Sequence, residues 1–187
     1  ETLYYFSTAN NTRIGGLTVA DEDIFYLDTR TGAWRHYFDG SDVCVKTDIN
    51  AFDLRPDGSV LMSFNTPTTI SGLGRVDRSD IVRFTPSSAS TGENTVGGFT
   101  LYFDGSDVGL STFYDDVDAV TVTTEGYMLV STAGKYSVEG VSGSDSDLLR
   151  FHDTSLGEDT SGSWELFFDG SEMGLNLASE DIAGASV

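Results

Sequence analysis

Tyr37-Phe38-Asp39-Gly40-Ser41-Asp42-Val43 is the stretch around which this chain is organised. It returns as Tyr102-Phe103-Asp104-Gly105-Ser106-Asp107-Val108 and as Phe167-Phe168-Asp169-Gly170-Ser171-Glu172-Met173, 65 residues further on each time. A fixed period of this length marks a repeat architecture, in which each unit buries its apolar face against its neighbours. The 187 residues therefore read as one array, with units at about 1–47, 48–115 and 116–180, followed by 181–187.

Between the blocks, short apolar stretches alternate with Gly- and Ser-rich turns, and no segment keeps an i, i+3, i+4 apolar pattern. Four strands per unit are expected. In the unit that starts at residue 116, Asp118–Thr123 is strand A and Tyr127–Thr132 is B, then Asp147–His152 is C and Trp164–Phe168 is D. The preceding unit repeats this with Ala51–Leu54, Val60–Phe64, Asp80–Phe84 and Phe99–Phe103, and Asp57-Gly58 supplies a tight A–B turn. Residues 133–146 read as a loop. Trp34, Phe99 and Trp164 hold one repeat position and read as packing residues.

Four antiparallel strands with a fixed aromatic and a Gly turn suggest a β-propeller blade. The run Phe-Asp-Gly-Ser-Asp-Val-Gly-Leu, followed by Asp-Val-Asp-Ala and a Gly hairpin, resembles uncharacterised β-propeller-type repeats of secreted bacterial proteins. The resemblance implies an all-β, propeller-like array of three four-stranded blades and a secreted or cell-surface location. Leu3–Thr8 matches strand B, and Asp181–Val187 matches strand A, so the chain is cut inside an A–B hairpin. Pairing of Asp181–Val187 beside Leu3–Thr8 of another copy would complete a blade by strand exchange. A closed dimer ring or a filament would follow, or the residues belong to a longer repeat protein.

Acidic residues outnumber basic ones 30 to 10, and the net charge is −20. Such a surface repels nucleic acid and anionic membranes, and no apolar run approaches the roughly 18 residues of a membrane-spanning helix. In a blade, the starts of A and C and the end of D share one face. That face would gather Asp39, Asp42, Asp104, Asp107, Asp116, Asp118, Asp145, Asp147, Asp169, Glu172 and Asp181, with Asp21, Asp23, Asp48, Asp80 and Asp115 as further members. Crowded carboxylates need neutralising, and calcium takes six to eight oxygens in flexible geometry. The competing reading is an Asp-Gly-Ser turn in which Asp accepts from nearby backbone N–H groups. An EF-hand does not fit, because a loop starting at Asp104 has Val108 fifth.

Catalytic sets are sparse. His36 and His152 lack a nucleophile elbow, and Cys44, the lone cysteine, stands where the other copies have Gly109 and Gly174. The functional expectation is a secreted, non-catalytic structural or adhesive repeat protein, assembled by strand exchange and stiffened by calcium. The alternative is a polysaccharide hydrolase or lyase with its carboxylate pair on the acidic face, and carbohydrate is the external partner considered.

Overall fold

The computed structural model describes residues 2–87, 92–177 and 179–186. The first unit gives β1 (Leu3–Phe6), β2 (Thr12–Ile14), β3 (Leu17–Val19), β4 (Ile24–Asp28) and β5 (Ala33–Phe38). The second gives β6 (Ile49–Leu54), β7 (Val60–Phe64), β8 (Thr68–Ile70), β9 (Gly74–Val76), β10 (Ile81–Pro86) and β11 (Gly97–Phe103). The third gives β12 (Val117–Val122), β13 (Met128–Thr132), β14 (Tyr136–Val138), β15 (Val141–Gly143), β16 (Leu148–Ser155) and β17 (Ser161–Phe168). All the strand pairings are antiparallel apart from two isolated bridges.

The larger sheets run β1-β4-β5, β6-β7-β10-β11 and β12-β13-β16-β17, and three two-stranded hairpins, β2-β3, β8-β9 and β14-β15, stand beside them. This corrects the expected propeller of three four-stranded blades. Among the described residues no sheet closes into a ring or barrel, and the main sheets hold three, four and four strands.

Two physical causes account for the difference. Each unit spends residues on an extra hairpin between B and C, where 133–146 had read as loop. Ile70 and Val76 of one hairpin, and Tyr136 and Val138 of another, are buried in the cores, so strands of only three residues are held by packing that a strand pattern does not reveal. The second cause lies at the end of the chain. Residues 181–186 form no strand beside β1, which leaves the first sheet a strand short; Val187, the last residue of that expected strand, lies outside the described residues, as does Glu1.

Apolar burial sits between successive sheets. One core joins the first and second sheets through Ile24, Phe38, Met62, Val82 and Phe84. The other joins the second and third through Leu61, Phe103, Val120, Val130 and Phe151. Phe38 meets Phe84 edge-on at 5.0 Å between ring centroids, and Phe103 meets Phe151 in the same way at 5.2 Å, a geometry that suits the ring quadrupole.

Candidate functional site

The Phe-Asp-Gly block folds as a turn followed by a short 3-10 helix, at Ser41–Val43, Ser106–Val108 and Ser171–Met173. In each copy the first Asp accepts from the Ser two residues on: Asp39, Asp104 and Asp169 receive the hydroxyls of Ser41, Ser106 and Ser171 at 2.7, 2.7 and 2.6 Å. Glycine follows because the chain passes too close for a side chain. A Cβ on Gly40, Gly105 or Gly170 would run into the backbone carbonyl of Glu22, Ser79 or Ser146.

A buried carboxylate locks that crossing in every unit. Gly40, Gly105 and Gly170 donate their N–H groups to Asp23, Asp80 and Asp147 at 3.1, 3.1 and 3.0 Å. The other oxygen of each Asp accepts from the N–H three residues upstream, of Ala20, Asp77 or Ser144. Burial pushes the Asp23 and Asp80 carboxyls up, and the two N–H donors work against that shift. Tyr136 also donates to Asp147, at 3.1 Å, and its phenol is pushed upward by burial and by the carboxylate beside it.

The second acid of the block clasps the next unit. Asp42 accepts from the Thr95 N–H at 2.7 Å, and Asp107 from that of Thr160 at 3.0 Å. The same threonine hydroxyls accept from the N–H groups of Asp39 and Asp104 and donate to the carbonyls of Gly92 and Gly157. Gly92 and Gly157 in turn donate to the carbonyls of Tyr37 and Tyr102. Their φ angles of 89° and 97° favour glycine. These threonines escaped the sequence reading, although Gly92-Glu93-Asn94-Thr95 and Gly157-Glu158-Asp159-Thr160 repeat at the same 65-residue spacing.

The candidate ligands are therefore dispersed. Asp39, Asp42, Asp104, Asp107 and Asp169 serve turns and clasps, Glu172 is exposed, and Asp147 is a lock. Among the described residues no group of three His, Cys, Asp or Glu is placed to hold a metal ion. Asp116 lies 3.5 Å from Arg78, and burial pushes its carboxyl up against that counter-charge. His36 stands 3.5 Å from Asp23, and His152 lies 2.8 Å from Glu165 on the surface.

Asp118, Asp145 and Asp181 lie close enough for their charges to interact, and Asp118 lines a cleft of about 730 Å³. Its walls are Leu3–Ser7, Asn50–Leu54 and Asp118–Val120, and residues 183–186 lie across it. Along one wall runs β1, which pairs with β4 on one side and has no ladder partner on its other edge among the described residues. Asp118 is 4% exposed, and both its carboxyl oxygens are buried without a donor. Burial, and then the charges of Asp181 and Asp145, push its pKa up to about 8. Asp181 meets it side chain to side chain.

Both functional expectations are corrected here. Propeller-based assembly lacks, among the described residues, the closed ring it requires. Carboxylate pairs of glycosidases stand about 5–5.5 or 6.5–9.5 Å apart so that a sugar or water fits between them. Asp118 and Asp181 interact side chain to side chain instead, Asp23, Asp80 and Asp147 are held by backbone donors, and no catalytic site among the described residues supports the hydrolase or lyase reading. Comparison with known protein families returns no matching model, and comparison with curated proteins returns no match.

Proposed function

We propose that the chain is a non-catalytic binding module that accepts an extended, positively charged peptide segment as an added strand along the free edge of β1. The observation that carries this reading is the cleft itself, into which an unpaired strand edge opens beside a buried carboxyl. An open edge offers backbone N–H and C=O groups to a second strand, and such pairing supplies affinity while side-chain pockets supply selectivity. The cleft volume falls within the range of ligand sites. Asp118 in the wall, the charges of Asp145 and Asp181 beside it and the chain's net charge of −20 favour Lys or Arg in the incoming segment.

The test is a titration with a short peptide of alternating Val and Lys, against one of alternating Val and Glu. Backbone amide exchange at Leu3–Phe6 is read by nuclear magnetic resonance at neutral and alkaline pH. The lysine peptide is expected to slow exchange there and the glutamate peptide to leave it unchanged. Unaltered exchange with the lysine peptide, or equal protection by both, overturns the reading.

A further inference from the structure

Residues 181–186 enter the cleft in the register that β6 and β12 use. The Ile182 N–H donates to the Asp145 carbonyl at 3.0 Å, as Ile49 does to Asp21 and Val117 to Arg78, both at 3.1 Å. Beyond that shared bond the two junctions part. Where β12 follows β6, the Val117 carbonyl receives Asn50 Nδ2 at 3.0 Å and Ser63 Oγ at 2.6 Å, which pins the arriving strand. Where the terminal segment follows β12, the same repeat positions hold Asp118 and Ser131. Ser131 gives its hydroxyl to the Asp145 and Asp147 carbonyls instead. Asp118 has replaced an amide that donates with a carboxyl that donates only when protonated.

From this Asn-to-Asp difference we infer that a proton on Asp118 latches residues 181–186 across the cleft, and that losing it releases them. The protonated carboxyl donates to Asp181, whereas the carboxylate turns the contact into a repulsion between the buried Asp118 anion and the exposed Asp181 anion. Among the described residues no positive charge acts on Asp118 to offset that repulsion. Asp181 and Asp145 face Asp118 from the segment and from the loop ahead of β16. Arg78 is engaged with Asp116 just ahead of β12, Arg55 is paired with Asp53 on β6, β1 carries only the phenols Tyr4 and Tyr5 as titratable groups, and β13 carries no charged residue. The raised affinity of Asp118 for its proton agrees with this picture, since it starts from 3.8 and reaches about 8.

The sign follows from proton counting. The docked form binds more protons than the released form at pH values between the released-state pKa of Asp118 and about 8, so docking weakens there as pH rises, by up to about tenfold per unit. The consequence for ligand, that the segment competes with an incoming peptide, rests on the binding reading above; the latch does not.

The experiment measures nitrogen-15 relaxation of residues 182–186 in the whole chain from about pH 5 to about pH 9.5. The native segment is expected to be rigid at the acid end and mobile at the alkaline end. Asp118→Asn restores the donor found at Asn50 and should stay rigid throughout. Asp181→Asn, a second route that leaves the buried position untouched, should also hold the segment at alkaline pH by donating to the Asp118 carboxylate. A native segment whose mobility ignores pH, or an alkaline release that persists in both variants, overturns the latch. Adding the lysine peptide separates the two readings. Tighter binding to the native chain than to Asp118→Asn at alkaline pH supports both, and a working latch with no peptide binding leaves the latch standing and removes the peptide.

Discussion

Phe103 and Phe168 hold the same place in their repeats, yet Phe103 is fully buried and Phe168 only half so. The residues around them follow suit. Tyr102 and Val108 are half-buried, whereas Phe167 is 52% and Met173 69% exposed. Within its own unit each block is built alike, with the same Asx turn, the same 3-10 helix and the same buried Asp lock. What differs is the neighbour: the second block is clasped by Gly157 and Thr160, and among the described residues no such loop reaches the third. A block's fold is thus local, while the burial of its aromatic residues belongs to the junction.

That comparison is most severely tested at the two phenylalanines. Phe103→Ala should cost about 3–5 kcal/mol, the usual range for emptying a packed aromatic site. Phe168→Ala should cost less, about 1–2 kcal/mol, because Phe168 is only partly buried. Urea unfolding of the two variants measures the gap, and equal losses would show that the third block is covered as well as the second.

The clasp is a smaller effect. Thr160→Val removes a hydroxyl that accepts from the Asp104 N–H and donates to the Gly157 carbonyl, and should cost about 1–2 kcal/mol. Glu172→Gln, at the unclasped block, should stay within about 0.5 kcal/mol of the native chain. A large loss at Glu172 in the same urea experiment would reveal a partner for the third block.

The smallest effect sharpens the likeness of the blocks instead. Cys44 sits at φ 64°, the left-handed region, where Gly109 and Gly174 sit at 96° and 97°. Cys44→Gly should raise stability by about 0.5–1 kcal/mol by relieving the contact between Cβ and carbonyl. Thermal unfolding reads it as a higher Tm, and a lower one would mean that the thiol packs favourably enough to outweigh its backbone cost.

The period of 65 residues, the strand positions within each unit and the turn role of Asp39, Asp104 and Asp169 were legible because each depends on residues close in sequence. A Ser two residues after an Asp, or a Gly in a tight turn, acts within reach of its own backbone. The Gly-Glu-Asn-Thr and Gly-Glu-Asp-Thr loops were equally visible as a repeat, but their partners lie 53 to 56 residues away, across a junction no local pattern describes. The three hairpins between B and C were hidden for a related reason. Strands of three residues carry too little alternation to register, and burial of Ile70, Val76, Tyr136 and Val138 in the cores is what holds the second and third of these hairpins. Amino-acid order also placed Asp118 among many acids that looked alike. Tertiary structure alone set it apart, by closing β12, the terminal segment and the loop ahead of β16 around one carboxyl and leaving it without a donor. Desolvation is a property of the surrounding atoms, and those atoms come from three separate stretches of the chain.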